Sequence, residues 1–222
     1  MAFTREQLAA AFEDRKARYK RGNDLVKQTL EAFLDDLSKR YGVREGLMVV
    51  GDPKGFPSFY KKATEKYQCE TIEDAFDRVR DLSRVRVLCH TLSDCYRLVQ
   101  LLQEQTHLFV DPLKIEDMIE EPSPTGYRAI HLEVTIDVPV EGGTVGVPVE
   151  VQIRTILQEA WGFYTHGDFY KGEAVSPVIA DLMREFSTLL YWADRHAVIL
   201  VDEVARARDE VAEDNGGETA AA

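Results

Sequence analysis

Hydrophobic positions along this chain switch between two periods. Over 23–41, Leu30, Phe33, Leu34 and Leu37 recur at helical spacing with charged residues between them, which predicts an amphipathic helix. A second helix is expected over 4–21, separated from the first by Gly22-Asn23, with Asn23 as N-cap. Leu47 to Val50 reads as a short strand ending at Gly51. Helices are expected over 57–67, with Pro57 in the first turn, over 71–80 and over 93–105. A strand from Arg84 to His90 separates the last two. The pattern assigns no element to 106–121.

Strict alternation then takes over. Ile130, Leu132, Val134 and Ile136 alternate with His131, Glu133, Thr135 and Asp137. Val145, Val147, Val149, Val151 and Ile153 alternate with Gly146, Pro148, Glu150, Gln152 and Arg154. A tight turn at Gly142-Gly143 predicts a hairpin pairing 131 with 154, 133 with 152 and 135 with 150, its apolar stripes on one face. Thr155 and Gln158 have capping-box spacing, opening a helix whose apolar stripe is Leu157, Ala160, Trp161 and Tyr164. Residues 175–212 read as helical and 213–222 as a disordered tail.

The 222 residues, 45% hydrophobic, suffice for one sizeable core. No apolar run approaches the roughly 20 residues of a membrane span, and the charged stretch Met1–Arg21 has no signal-peptide character. Cys69, Cys89 and Cys95 form no paired motif and suit buried thiols in a reducing cytoplasm. The five histidines lack metal-ligand spacing, which argues against structural zinc. A net charge of −12 excludes a general nucleic-acid binder. Basic residues nevertheless crowd Arg15, Lys16, Arg18, Lys20, Arg21 and Lys27, either as a solvated helix face or as a local phosphate-binding patch.

Three groups carry candidate chemistry. The hairpin's polar face gathers His131, Glu133, Glu150, Gln152 and Arg154, a mixture suited to proton abstraction beside an anion or to cross-strand ion pairing. Asp81 precedes the strand containing Arg86, as a turn residue or as a ligand to Mg²⁺, which takes only one or two carboxylates. Ser58, Lys62 and Lys66 fall at i, i+4 and i+8 after the Gly51–Ser58 loop, which contains Lys54. They form a polyphosphate cradle or a solvated face, and no GxxxxGK[ST] loop is present.

Taken together, Thr125-Gly126-Tyr127-Arg128-Ala129-Ile130-His131, the block from Glu150-Val151-Gln152-Ile153-Arg154-Thr155 through Trp161, His166 and Tyr170-Lys171, and Asp81 to Arg86 resemble the motifs of RelA/SpoT-homologue (p)ppGpp synthetases. The resemblance covers about residues 45–171. It implies a nucleotidyltransferase-like α/β (α+β) fold, with a mixed β-sheet flanked by helices and with N- and C-terminal helices. The corresponding division is N-terminal helices over 1–44, a synthetase core over 45–172, C-terminal helices over 173–212 and the tail. It also implies a pyrophosphokinase moving the β,γ-pyrophosphate of ATP to the 3′-hydroxyl of GDP, GTP or another purine nucleotide.

By position, the resemblance makes Asp81 and Glu150 ligands of Mg²⁺ (or Mn²⁺), with Glu150 also deprotonating the acceptor. Lys54, Ser58, Lys62 and Arg86 become ATP contacts; Tyr127, Arg128, His131, Gln152 and Arg154 become acceptor contacts. Two positions depart from the family pattern: Asp52 stands where an arginine is common, and Ser123 where a lysine is. Two other readings stay open here. One is a toxic relative, with an antitoxin partner, that pyrophosphorylates the 3′ end of tRNA. The other is an inactive nucleotide-binding homologue. A homo-oligomer is compatible with each.

Overall fold

The computed structural model describes residues 2–41, 47–51, 53–104, 109–111, 113–166 and 176–218. Elements follow the order α1 (Arg5–Tyr41), β1 (Leu47–Val50), α2 (Phe56–Lys61), α3 (Ile72–Arg78), β2 (Ser83–Cys89), α4 (Leu92–Glu104), β3 (Lys114–Asp117), β4 (Ile130–Val140), β5 (Gly143–Thr155), α5 (Ile156–His166) and α6 (Pro177–Glu218). A π-helical turn, Lys62–Lys66, continues α2. The strands form one mixed five-stranded sheet in the order β1-β2-β5-β4-β3. Among the described residues only β2 and β5 run parallel. The expected mixed sheet flanked by helices is what the chain adopts.

Alternation dictates the sheet's two faces. Val85, Val87, Leu132, Val134, Val149, Val151 and Ile153 are buried together with Leu8, Phe12, Tyr19, Val26 and Leu30 of α1. Aromatic contacts extend this core towards α2 and α3. Phe59 lies 5.4 Å from Phe12 and 4.9 Å from Phe76, ring centre to ring centre.

The two N-terminal helices expected from Gly22-Asn23 are one helix of 37 residues. Glycine inside a helix costs about 1 kcal/mol against alanine, but here it permits close packing. A Cβ at position 22 would come within 2.9 Å of Val147 Cγ1. Asn23 is no N-cap: it is buried, and its Nδ2 donates to the Gly51 carbonyl at 2.9 Å.

The hairpin also differs from expectation in register. Val140 pairs with Gly143, so the turn is Glu141-Gly142, and His131 faces Gln152 while Glu133 faces Glu150 and Thr135 faces Pro148. Gly142 takes φ of +86°, which glycine adopts without strain, and Glu141 keeps negative φ. The register moves by two residues, and a shift of two preserves the side-chain faces. The polar and apolar stripes therefore stay as the alternation set them.

The segment left unassigned contains β3, an edge strand whose four residues are all exposed. Lys-Ile-Glu-Asp offers no apolar alternation to read, and charge on an edge strand protects it from pairing with other chains. The capping box at α5 forms as expected: Thr155 N donates to Gln158 Oε1 at 3.0 Å, and Gln158 N donates to Thr155 Oγ1 at 3.1 Å. Tyr164, expected on the apolar stripe of α5, is exposed. Helix α6 runs to Glu218, into the segment read as a disordered tail from 213, although Asn215-Gly216-Gly217 is poor in helix formers. Cys69, Cys89 and Cys95 are buried free thiols, as expected. Among the described residues no helix is long and apolar enough to cross a membrane.

Gly22→Ala should destabilise the protein by about 1–3 kcal/mol in urea titration, because the new methyl meets a stiff valine. In a Val147→Ala background the same change should be neutral or stabilising by up to about 1 kcal/mol. Additive effects in that cycle would contradict the close approach.

A second test concerns Asp194 of α6, which is 1% exposed and accepts a hydrogen bond from Thr155 Oγ1 at 2.7 Å. Burial raises its pKa to about 6, against the opposing bond from Thr155. The folded state thus holds this proton more tightly than the unfolded state between about pH 4 and pH 6. The Asp194 contribution to stability falls as pH rises through that window. Asp194→Asn should remove that slope, so that its stability stays flat between about pH 4 and pH 6 while that of the parent falls. Equal pH–stability curves would refute it.

Candidate active site

The parallel pairing of β2 with β5 aligns Arg84 with Glu150 and Arg86 with Gln152. On the far side of β5, His131 and Glu133 of β4 face Gln152 and Glu150. One sheet face thereby collects residues from three strands. Asp81, at the turn before β2, and Lys62, after α2, line an open cleft of about 520 Å³ with His131, Glu133 and Glu150. Lys66, Arg80 and Lys114 line it too.

Six cations in and around the cleft are held two to a carboxylate. Asp81 accepts bonds from Lys54 and, at 2.5 Å, from Lys62. Glu133 pairs with Arg80 at 2.7 Å and Lys114 at 3.0 Å. Glu159, in the first turn of α5, pairs with Arg86 at 2.7 Å and Arg154 at 3.0 Å. Each trio carries more positive than negative charge, so this face of an acidic chain is locally basic.

Burial adds to the effect. Lys54 is 6% exposed, and desolvation lowers its pKa to about 8 despite the Asp81 carboxylate. Burial also works against the Asp81 charge, but the bonds from Lys54 and Lys62 outweigh it and hold the carboxyl below its usual range.

Glu150 is bonded differently from the other carboxylates. Gln152 Nε2 donates to its Oε1 at 2.6 Å, and Arg154 donates to Gln152 Oε1 at 2.7 Å. His131 Nδ1 lies 3.8 Å from Glu150 Oε2. Burial, assisted by Arg154, lowers the His131 pKa below 6.5 against the pull of Glu150, so the imidazole is mostly neutral at pH 7. Its Nε2 shares a hydrogen bond of 2.8 Å with the Tyr127 hydroxyl. The Arg154 guanidinium sits 5.5 Å from the centre of the Tyr127 ring, and Trp161 packs against that ring at 6.0 Å.

The structure thus brings Asp81, Lys54, Lys62, Arg86, Tyr127, His131, Glu150, Gln152 and Arg154 into one connected set. Two expected residues fall outside it. Ser58 is exposed and does not line the cleft, whereas Lys62 and Lys66, further along the same stretch, do. Arg128 is buried and turned towards α6. It donates to the Ile119 carbonyl and to Ser187 Oγ, with its guanidinium 4.3 Å from the Tyr191 ring centre. Ser123 Oγ accepts the Tyr127 N–H at 3.2 Å, so the residue that departs from the family pattern caps this loop. Asp52, Tyr170 and Lys171 lie outside the described residues, as does the His166 side chain.

Sequence reading missed Glu159, Arg80 and Lys114. The Thr155–Gln158 capping box could have flagged Glu159 as a first-turn acid just beyond β5. Nothing local marks Arg80 or Lys114 as partners of Glu133.

Asp81 and Glu150 line the same cleft. Two carboxylates beside cations are a protein's usual share of an Mg²⁺ site completed by phosphate oxygens and water. The donor set therefore fits Mg²⁺ arriving with a nucleotide.

The sequence profile of the region found in RelA/SpoT proteins matches residues 51–174. The GTP pyrophosphokinase YwaC of Bacillus subtilis is 30% identical over 153 residues, covering 68% of this chain and 71% of the relative. A GTP pyrophosphokinase of Haemophilus influenzae is 33% identical over 112 residues, covering 50% of this chain but 13% of that much longer protein. Among solved structures, Bacillus subtilis small alarmone synthetase 1 bound to its product pppGpp superposes with a TM-score of 0.75 at 20% identity, covering 87% of this chain and 98% of that one. Small alarmone synthetase 2 of the same organism gives 0.71 at 23% identity, covering 86% and 98%. These two likenesses concern the fold.

Glu159→Gln leaves two guanidinium groups without their carboxylate, one of them nearly buried. Unfolding free energy should drop by about 2–4 kcal/mol. Combining it with Arg86→Gln should cost less than the sum of the two single changes. Strict additivity would show that Arg86 and Glu159 are not coupled.

Proposed function

The chain belongs to the RelA/SpoT family, and on that premise we propose that it is a pyrophosphokinase transferring the β,γ-pyrophosphate of ATP to the 3′-hydroxyl of GDP or GTP. The observation that carries this reading is the placing of paired cations, Asp81 and Glu150 around one cleft, beside a half-buried tyrosine. Transfer of this kind needs in-line positioning and charge neutralisation more than covalent chemistry from the protein.

In this reading the acceptor purine stacks on Tyr127, with Arg154 on the same aromatic. Gln152 fixes one oxygen of Glu150 and leaves the other to take the proton of the acceptor 3′-hydroxyl. The new bond forms between that 3′-oxygen and the β-phosphorus of ATP. The bond from the β-phosphorus to the oxygen bridging it to the α-phosphorus breaks, and AMP leaves with that oxygen. Lys54, Lys62 and Arg86 lie where cations on the migrating phosphates are needed. Mg²⁺, held by Asp81 and Glu150, would supply further neutralisation of phosphate charge.

The tRNA-directed alternative drew on the basic N-terminal stretch. That stretch lies on α1, which covers the apolar face of the sheet, opposite the cleft. Several of its charges are engaged: Arg15 with Glu73 and the Phe76 ring, Lys16 with Glu13, and Lys27 with Glu31. None of this favours an RNA path to Glu150, so the mononucleotide acceptor is the reading we adopt.

Incubation with ATP labelled at the γ-phosphate and with GDP, GTP, AMP, ADP or deacylated tRNA decides the acceptor. Label is expected on GDP or GTP. Labelling of tRNA alone would replace this reading with the toxic one, and no labelled product with any acceptor would leave an inactive homologue. Glu150→Gln should retain the fold by circular dichroism and lower turnover by roughly 10²-fold or more.

A further inference from the structure

The loop carrying Tyr127 is fastened from one side by α6, which lies beyond the matched family region of residues 51–174. Ser187 Oγ donates to the Gly126 carbonyl at 2.5 Å and accepts from Arg128 Nε at 3.3 Å. One hydroxyl of α6 thus binds the residues immediately before and after Tyr127. Gly126 is seated so closely that a Cβ there would meet Ser187 Cβ at 3.0 Å and the Arg184 backbone at 3.2 Å. Its φ of +92° suits glycine as well.

The remaining bonds act in the same sense. Arg184 reaches the Pro124 carbonyl at 3.5 Å. Tyr191 donates to Glu120 at 2.5 Å. Trp161, which packs on the Tyr127 ring, donates to the Met183 carbonyl at 2.9 Å. Within the loop, Gly126 N bonds the Ser123 carbonyl and Tyr127 N bonds Ser123 Oγ, so the turn is closed on itself. Ser187 is 4% exposed and Arg128 is 9% exposed, which shields these bonds from competing water.

We propose that Ser187 and Arg128 form a latch through which α6 positions Tyr127 for the acceptor base, so that Arg128 is a positioning residue that does not itself touch substrate. The proposal rests on the acceptor role of Tyr127 argued above, and its test separates the two. Ser187→Ala removes the hydroxyl, and Arg128→Met removes the guanidinium while keeping much of its bulk. Each should raise the KM for GDP or GTP by on the order of tenfold to a hundredfold, the range for slight misplacement of a positioning group. The KM for ATP should stay within about twofold of the parent in both, since the latch touches none of the donor-side residues.

Because the two groups share one bond, the double variant should be little worse than Arg128→Met alone. An Arg128→Met loss far larger than that of Ser187→Ala, with additive effects, would make Arg128 a substrate contact and overturn the latch. A second arm needs no activity. In protein labelled with ¹³C-tyrosine, the Tyr127 resonance, assigned with Tyr127→Phe, should shift or broaden in Ser187→Ala while the tyrosines other than Tyr191, whose ring faces the Arg128 guanidinium, keep their positions. Should the alanine variant not fold, Ser187→Cys, which retains a side chain of similar shape with a weaker bond, takes its place. An unmoved Tyr127 resonance would sink the latch whatever the acceptor proves to be. A moved resonance in a protein that uses neither GDP nor GTP would uphold the latch and reject the functional reading alone.

Discussion

The site depends on the parallel ladder between β2 and β5. Its register sets Ser83 against Val149 and Arg84 against Glu150, so the turn before β2, with Asp81, lies close to Glu150. Lys54 is fixed to this turn through backbone as well as side chain, its N–H bonding the Leu82 carbonyl at 2.8 Å. Strand β4 then supplies His131 and Glu133 from the other side. The long helix α1 makes this arrangement affordable energetically by burying the apolar face, with Gly22 allowing its close approach to β5.

Charge on the polar face is arranged for an anionic partner. Asp81, Glu133 and Glu159 each sit between two cations, so no trio is neutral on its own. The depressed pKa of Lys54, about 8, shows what holding such charge in a partly dry site costs. A bound anion would relieve that cost by supplying negative charge. Glu150 stands apart, bonded by a neutral amide and near a neutral imidazole, which leaves its carboxylate free of a tight cation. A chain of net charge −12 therefore carries on this face a local field opposite in sign to its total.

The loop at Tyr127 joins the two halves of the molecule. It leads into β4 of the sheet but is bound through Gly126 and Arg128 to α6. Buried, fully engaged polar contacts of this kind fix geometry as much as they stabilise. A loop inside the matched region 51–174 is thus held in place by a helix outside it.

Alternation alone determined the hairpin's two faces, and with them the company of His131, Glu133, Glu150, Gln152 and Arg154. A two-residue error in register left that grouping intact because strand side chains repeat every second residue. The capping box at Thr155 and Gln158 was equally legible, being local chemistry. The motif order identified the family on the same local footing. Tertiary structure decided the rest. Gly22-Asn23 has the composition of a helix break, and only the nearness of Val147 and the Gly51 carbonyl shows why the helix continues through it. Strand β3 carries no hydrophobic signal and exists because β4 offers it an edge. Arg128 sits between Tyr127 and His131 in motif and yet faces the other way, since its partners Ile119, Ser187 and Tyr191 come from distant segments. Local periodicity fixes which residues share a face; which distant group each one meets is fixed only by how the elements pack.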